Sequence, residues 1–251
     1  MEPRVCLVSG AGRGIGRAVA LSLSNLGHSV VVTARSKDEL DDLAGQMPGR
    51  ALVVAGDITD GAFVDELFSR AEAELGAVEV LVANAGVASS NPIHRVTDED
   101  WQLLMDVNLT APFRCMRRAV PSMLGAGFGR IVVIASVASK RGDPYIAAYT
   151  AAKHGVLGLV RATAAELATK GITVNAVCPA FVDTPMTDGT VANISARTGR
   201  SEEQARQALE RMQPIGRLIT VQEVADVVTF LLDAPGVTGQ GWNVDGGAVQ
   251  S

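Results

Sequence analysis

The sequence predicts a single-domain α/β fold in which helices cover both faces of a doubly wound parallel sheet. Two observations support this fold class. Short runs of β-branched and other apolar residues alternate with helical patterns through the first three quarters of the chain. Within those runs the apolar residues are continuous, as expected for strands that are buried on both faces. No linker, repeat or low-complexity segment interrupts residues 1–251, so they are expected to form one domain.

The candidate strands and helices follow one another in a regular order. The predicted strands are Arg4–Ser9, Ser29–Thr33, Ala51–Ala55, Val78–Ala83, Arg130–Ala135, Thr173–Val177 and Gln240–Val244. The clearest helical patterns are Gly14–Leu26, Asp60–Leu75, Asp98–Leu124 and Ala147–Thr169. Ser36 and Glu39 form a capping-box pattern at the start of a further helix, which explains the acidic residues there on structural grounds.

Residues 184–217 break this alternation, because they contain no obvious strand and are rich in small and polar residues. Long segments of this kind inside a compact domain are often functional, so residues 185–213 are predicted to form a helical lid over a binding site. The lid carries four arginines that could meet a carboxylate or a phosphate-bearing carrier: Arg197, Arg200, Arg206 and Arg211. Glu202 and Arg206 are four residues apart, so a self-paired helix face is the simpler interpretation of those two.

The composition disfavours a nucleic-acid or membrane partner. The net charge is −5 and basic residues form only short pairs, whereas binding to phosphate backbones requires a basic face. No apolar stretch reaches membrane-spanning length, and no secretory signal opens the chain. The three cysteines lie far apart among apolar neighbours, which indicates buried thiols in a reducing compartment, and the histidines show no metal-ligand spacing. We therefore expect a cytoplasmic protein without a metal site.

A glycine-rich turn directly follows the first predicted strand. Gly10, Gly14 and Gly16 stand between that strand and a helix, where backbone N–H groups and the helix N-terminus can face a pyrophosphate. The spacing differs from the common G-x-G-x-x-G pattern, since Ile15 stands where that pattern would end. A plain tight turn is the alternative, but the position between strand and helix favours a Rossmann-type dinucleotide site.

Two arginines bear on which dinucleotide would bind. An acidic residue after the second strand would bind the adenosine ribose hydroxyls, whereas an arginine accommodates a 2′-phosphate. That place holds Arg35, and Arg13 in the glycine turn could supply a second positive charge, although both could simply be solvated. The sequence therefore predicts NADP(H) as the preferred cofactor, with NAD(H) as the alternative.

A third motif lies further along the chain. Ser136 is followed thirteen residues later by Tyr149, and Lys153 comes four residues after that. Together with the glycine turn, this set resembles the short-chain dehydrogenase/reductase family. The resemblance covers essentially the whole chain, and mild departures from the family pattern occur at Ser9, Ala83 and Ala180. Further matches occur in the expected order at Asp57, Asn84-Ala85-Gly86, Asn108, Asn175, Cys178-Pro179 and Thr184.

These residue types suit the interconversion of a ketone and a secondary alcohol. Tyr149 and Lys153 share one helix face, and an adjacent ammonium is expected to lower the pKa of a tyrosine toward the operating pH of a proton carrier. Ser136 can donate a hydrogen bond to the carbonyl oxygen. The resemblance implies that Lys153 also holds the nicotinamide ribose and that Asn108 keeps a relay water.

The expected catalytic residues are therefore Asn108, Ser136, Tyr149 and Lys153. The expected cofactor-binding residues are Gly10, Arg13, Gly14, Ile15, Gly16, Arg35, Asp57, Ile58, Asn84, Ala85, Gly86, Tyr149, Lys153, Pro179, Val182 and Thr184. Two of these have structural alternatives. Asp57 could cap the helix that begins near Asp60, and Asn84 could stabilise the turn after its strand. His154 is expected to be structural.

The resemblance is nearest to β-ketoacyl and polyketide ketoreductases and to hydroxyacyl dehydrogenases. It implies reduction of a β-ketoacyl group carried as a thioester on coenzyme A or a carrier protein. The alternative is an NAD-dependent hydroxyacyl or secondary-alcohol dehydrogenase that works in the oxidative direction. The family commonly forms tetramers, so a homotetramer is expected, with the helix that carries Tyr149 and the last helix and strand at its interfaces.

Overall fold

Seven strands and nine principal helices are present in the computed structural model, which describes residues 2–250. The strands are β1 (Val5–Ser9), β2 (Ser29–Ala34), β3 (Ala51–Ala55), β4 (Val80–Ala83), β5 (Gly129–Ile134), β6 (Ile172–Pro179) and β7 (Gly241–Val244). The helices are α1 (Gly14–Asn25), α2 (Lys37–Gln46), α3 (Gly61–Glu74), α4 (Asp98–Met105), α5 (Ala111–Ala126), α6 (Ala147–Leu167), α7 (Pro185–Thr198), α8 (Glu202–Arg211) and α9 (Val221–Leu232).

All seven strands form one parallel sheet in the order β3-β2-β1-β4-β5-β6-β7. The chain runs outward from β1 to β3, returns to place β4 beside β1, and then runs outward in the other direction. The predicted doubly wound parallel fold is confirmed. The change of direction between β1 and β4 is the point at which ligands bind in folds of this kind, at the carboxyl ends of the strands.

The core lies on both faces of the sheet, because successive strand residues point to opposite sides. On one face, residues such as Leu7 and Leu81 pack with α3, α5 and α6. On the other face, residues such as Val8 and Val82 pack with α1, α2 and α9. Strands covered on both sides have to be apolar throughout, which accounts for the continuous apolar runs in the sequence.

The predicted helix over Asp98–Leu124 is confirmed as one continuous helical stretch from Asp98 to Ala126, but its regular α-helical pattern is broken in the middle. Residues Asp106–Thr110 form a π-helical turn between α4 and α5. Asn108 is buried in that turn, and its side-chain nitrogen donates to the carbonyl oxygens of Leu104 and Val87, both at 3.0 Å. A side-chain donor of this kind competes with the backbone hydrogen bonds of the helix and stabilises the bulge.

The capping box predicted at α2 forms only in part. Ser36 caps the helix by accepting a hydrogen bond from the backbone N–H of Glu39 at 3.4 Å, but among the described residues the Glu39 side chain returns no bond to it. Complete capping boxes occur instead at α8, from Ser201 and Gln204, and at α9, from Thr220 and Glu223. The Glu39 carboxylate therefore has another location, described below.

Residues 185–213 contain α7 and α8. A single parallel bridge between Val182 and Ile219 joins the chain just before this segment to the chain just after it. The predicted pair of Glu202 and Arg206 is wrong, because Arg206 instead forms ion pairs that hold the two helices to the loop after β6. Its partners are Asp183 at 2.7 Å, Asp188 at 3.4 Å and Glu210 at 3.6 Å. No helix within residues 2–250 is long and apolar enough to cross a membrane.

Candidate active site

A cavity of about 700 Å³ opens at the carboxyl ends of the strands, beside the junction of β1 and β4. With the exception of Gly16, every residue proposed from the sequence as catalytic or cofactor-binding lines it. The fold thus brings together positions that are spread from residue 10 to residue 184 of the chain.

The glycine turn packs directly against the end of β4. A Cβ atom on Gly16 would lie 2.3 Å from the carbonyl oxygen of Gly10, and one on Gly10 would lie 2.8 Å from the Cα of Ala85. Gly10 and Gly14 also have φ values of +65° and +57°, which favour glycine. Gly16 lies beneath the cavity, so its contribution is close packing rather than contact with a ligand.

Asn84 and Ser9 tie the same two segments together. The Asn84 side-chain nitrogen donates to the carbonyl oxygens of Ser9 at 2.9 Å and Gly10 at 3.1 Å. In return the Ser9 hydroxyl accepts from the backbone N–H groups of Asn84 and Ala85, both at 3.1 Å. This network supports the interpretation of Asn84 as a residue that stabilises the turn, although its side chain also borders the cavity.

The end of the cavity beyond the glycine turn is lined by charged groups. Arg13 and Arg35 are exposed there, and neither side chain forms a hydrogen bond or ion pair with a residue that the structure describes. Asp57 accepts hydrogen bonds from the backbone N–H and hydroxyl of Thr59, which lower its pKa below the ordinary value, and the nearby Arg35 lowers it further. Asp60, not Asp57, caps α3, so the capping interpretation of Asp57 is wrong.

At the other end, α6 places Tyr149 and Lys153 beside Ser136, which follows β5. The Ser136 hydroxyl hydrogen-bonds to Tyr149 and also accepts from the N–H of Ala138 at 3.1 Å. Lys153 is buried, and its Nζ donates to the carbonyl oxygen of Ile134 at 3.0 Å. The same Nζ lies 5.7 Å from the centre of the Tyr149 ring.

The protonation of this pair differs from the sequence-based expectation. Burial raises the pKa of Tyr149 above its ordinary value, and the hydrogen bond from Ser136 lowers it only in part. Burial also lowers the pKa of Lys153 to about 8. In the protein without a ligand burial is the largest influence on both pKa values, so the phenol of Tyr149 is protonated at neutral pH and most Lys153 side chains are charged.

Asn108 lies behind this group. Its Oδ1 accepts from the N–H of Val87 at 3.3 Å, and a Cβ atom on Gly86 would lie 3.2 Å from that oxygen and 3.9 Å from Nζ of Lys153. Gly86 thus lies between Asn108 and Lys153. Because glycine has no side chain, both of these residues can approach it closely. His154, one residue after Lys153, bonds through its ring to the Thr150 carbonyl of its own helix.

The cavity fits a nicotinamide dinucleotide. Its glycine turn leaves no room for side chains where a pyrophosphate would approach, and α1 starts at Gly14 without a side-chain cap on its first N–H groups. Two arginines that have no hydrogen-bonded partner within residues 2–250 border one end, and a phenol, a hydroxyl and an ammonium border the other.

Comparison with known proteins supports this interpretation of the cavity. A short-chain dehydrogenase model described as "Enoyl-(Acyl carrier protein) reductase" matches residues 10–249.

The chain belongs to the short-chain dehydrogenase/reductase family.

Similar members of the family cover the chain from end to end. A 3-oxoacyl-[acyl-carrier-protein] reductase of Synechocystis is 38% identical, with 99% of this chain and 98% of that protein aligned. The corresponding reductase of Escherichia coli is 35% identical, with 98% and 97% aligned. The crystal structure of a variant actinorhodin polyketide ketoreductase with NADPH superposes with a TM-score of 0.95 at 37% identity, covering 98% of this chain and 97% of that one.

Several residues that line the cavity of this family member are not predicted as site residues by the sequence. Gly12 lies outside the glycine spacing that identifies the turn, and the capping pattern gives Glu39 a structural role instead. Leu103 belongs to α4 and Val107 to the π-helical turn, which a regular α-helical pattern does not predict. Met186 reaches the cavity from the lid. The Glu39 side chain is not used in a capping box, and only the structure shows that it is therefore free to line the cavity.

Replacement of Gly16 by alanine tests the packing of the glycine turn. We expect Gly16→Ala to lower the free energy of unfolding by about 1–3 kcal/mol, because the new methyl group overlaps the Gly10 carbonyl, and to weaken binding of NADP⁺. Gly45→Ala is the matched control, since a Cβ atom on Gly45 in α2 would meet no described atom within 4 Å. It should raise stability by up to about 1 kcal/mol through helix propensity.

Urea unfolding and calorimetric titration with NADP⁺ measure both effects. If the two variants were equally stable and bound NADP⁺ equally well, the close approach of Gly16 to Gly10 would have no energetic importance.

Proposed function

We propose that this chain reduces the 3-keto group of an acyl thioester to a secondary alcohol, with NADPH as the hydride donor. The observation that carries the proposal is the convergence of Ser136, Tyr149 and Lys153 on a cavity whose far end holds the glycine turn and the two exposed arginines. The names of the similar proteins, 3-oxoacyl-[acyl-carrier-protein] reductases and a polyketide ketoreductase, support the class of substrate.

Different residues of the cavity would bind different parts of the cofactor. The glycine turn and the N-terminus of α1 would hold the pyrophosphate, and Arg13 and Arg35 would hold the 2′-phosphate of the adenosine ribose. Lys153, with Pro179 at the end of β6 and Val182 and Thr184 after it, would surround the nicotinamide end. When bound, NADPH supplies the hydride that the carbonyl carbon accepts.

The protein groups act on the carbonyl oxygen. Ser136 donates a hydrogen bond to it and stabilises the negative charge that develops there. The Tyr149 phenol, which burial keeps protonated at neutral pH because it raises the pKa, donates the proton that converts the alkoxide to an alcohol. The ammonium of Lys153 stabilises the phenolate that Tyr149 becomes. The names of the similar reductases support reduction over the alternative, oxidation of a hydroxyacyl compound.

Family membership supports assigning Asn108 to a proton relay that recharges Tyr149 from solvent. The buried π-helical turn around Asn108, next to Gly86 and Lys153, supports this assignment because such bulges are frequent at functional sites.

The lid would close over the acyl chain. Pro185, Met186 and Thr187, at the start of α7, line the cavity. Further along the helix, Asn193 donates to the Ser90 hydroxyl and Arg197 donates to Asn91, both at 3.2 Å. These bonds hold α7 against the loop after β4, so the acyl chain would lie between them. A thioester on coenzyme A or on a carrier protein fits a cavity that is open to solvent on one side.

We also propose that the protein forms a homotetramer in the cytoplasm. The outer edge of β7 pairs with no described strand, and on α9 Phe230 is half exposed and stacks edge-on with Trp242 of β7, at a centroid distance of 5.5 Å. An uncovered strand edge beside an exposed aromatic ring is suited to pairing with a second copy. Three buried free thiols are in keeping with a reducing compartment. A monomeric mass by light scattering in dilute solution would contradict the tetramer.

Turnover of acetoacetyl-CoA tests the proposed function. We expect NADPH-dependent reduction, followed at 340 nm, and a fall in kcat of about 10²–10⁴-fold in Tyr149→Phe because the proton donor is lost. Tyr145→Phe is the matched control: this tyrosine is 64% exposed and does not line the cavity, so its loss of a hydroxyl should leave the rate unchanged. Full turnover in Tyr149→Phe would refute the role of Tyr149.

The pH dependence of the same reaction tests Lys153. Since the pKa of Lys153 is about 8, its positive charge is lost as the pH rises through that value, and kcat/KM for reduction should fall above pH 8. Tyr149, whose pKa is raised, keeps its proton over this range. Lys153→Arg retains a charge at every accessible pH, so its lower activity should lack the decline. An identical decline in both proteins would assign it to another group.

A further inference from the structure

The side chain of Glu39 lies in the cavity, over the glycine turn. Although Glu39 belongs to the first turn of α2, a Cβ atom on Gly12 would lie 2.5 Å from the Oε2 of Glu39 and 3.0 Å from the Cβ of Glu39. The glycine at position 12 therefore leaves the space that this carboxylate fills. Glu39 is one of the residues that line the cavity, at the same end as Arg13, Arg35 and Ser36.

Glu39 is partly buried, and its carboxylate forms no hydrogen bond or ion pair with any residue from 2 to 250. A capping role does not account for it, because the backbone N–H of Ser36 donates no hydrogen bond to it. An ionised carboxylate can only accept hydrogen bonds, so this one is available to the donor groups of a ligand in the cavity.

The chemistry of the adenosine ribose distinguishes the possible ligands. The hydroxyl groups of this ribose are donors and match a carboxylate, whereas a 2′-phosphate carries mainly acceptor oxygens at neutral pH and is repelled by it. Arg13 and Arg35 have the opposite preference. This end of the cavity therefore contains both a carboxylate, which favours NADH, and two arginines, which favour NADPH.

We propose that Glu39 is a determinant of cofactor choice that acts against the two arginines: it accepts hydrogen bonds from the adenosine ribose hydroxyls and so admits NADH, while it weakens binding of the 2′-phosphate of NADPH. This inference rests on the proposed function, in that it assumes a nicotinamide dinucleotide in the cavity. It assigns a role to an acidic residue four positions beyond Arg35, on the helix rather than at the end of the strand.

The test uses two fragments of the cofactor, so that it does not depend on turnover. Dissociation constants of adenosine 2′,5′-bisphosphate and of 5′-AMP are measured by calorimetry at low ionic strength for the full-length protein. Glu39→Gln keeps the shape of the side chain and removes its charge. We expect it to bind the bisphosphate about 3- to 10-fold more tightly, because the repulsion is removed, and 5′-AMP about 3- to 10-fold more weakly.

Two further positions and a shorter acid serve as controls. Asp38→Asn removes the same charge one residue away, from an exposed side chain that does not line the cavity, and should leave the ratio of the two constants near its wild-type value. Arg35→Ser should weaken the bisphosphate and leave 5′-AMP unchanged. Glu39→Asp, which withdraws the carboxylate by one methylene, should shift the ratio in the same direction as Glu39→Gln but less.

The outcomes separate the inference from the proposed function. If Glu39→Gln and Glu39→Asp keep the wild-type ratio, or if Asp38→Asn shifts it equally, the role of Glu39 is refuted while the cofactor assignment stands. If the wild-type protein binds neither fragment, the proposed function fails at its cofactor. A shift in the ratio specific to position 39 supports the inference, and the preference of kcat/KM for NADPH over NADH should then rise in Glu39→Gln.

Discussion

The contact between the glycine turn and the end of β4 is the constraint on which the rest of the site depends. Ser9, Asn84 and the carbonyl of Gly10 hold the first and fourth strands together at their carboxyl ends, in addition to the parallel ladder between those strands. Because no Cβ atom fits at positions 10 and 16, the backbones approach closely enough to form a single floor. The adenosine end, the pyrophosphate cradle and the loop at Gly86 are all placed relative to that floor.

Burial acts in opposite directions on the pKa values of Tyr149 and Lys153, the two titrating groups of the proposed reaction. It disfavours the anion of Tyr149 and the cation of Lys153, and so it leaves a phenol that holds its proton beside an amine whose charge is lost in the weakly alkaline range. A reductase gains from the first effect, since it needs a proton donor. The second effect makes the charge of Lys153 sensitive to its surroundings, because the Ile134 carbonyl that accepts its hydrogen bond is a neutral group.

The sequence is sufficient to predict the sheet, because strands buried on both faces must be apolar throughout. Most residues of the site can also be predicted, since glycines in a turn and a Ser, Tyr and Lys at defined spacing are local patterns. What cannot be predicted depends on contacts between distant segments. The π-helical turn exists because Asn108 reaches Val87 as well as Leu104, and Arg206 pairs with Asp183 on another loop rather than with Glu202. The location of Glu39 cannot be predicted for the same reason. The sequence contains its capping pattern, but the space over Gly12 arises only from the packing of two distant segments.

The bridge between Val182 and Ile219 brings together the two ends of the lid segment, so the segment forms an insertion beside the sheet. The N–H of Ile219 bonds to the carbonyl of Phe181, and the N–H of Asp183 bonds to the carbonyl of Ile219, so the segment leaves and rejoins the body of the protein at one point. The entropy of closing a loop grows only slowly with its length, and a small apolar cluster joins Val191, Ala205 and Leu209 of the segment to Phe181 and Leu218 beside the bridge. Helices of different length or sequence can therefore be exchanged at this point with little effect on the sheet. If the segment is the substrate lid that we propose, its sequence sets the range of accepted substrates while the seven-stranded sheet stays the same.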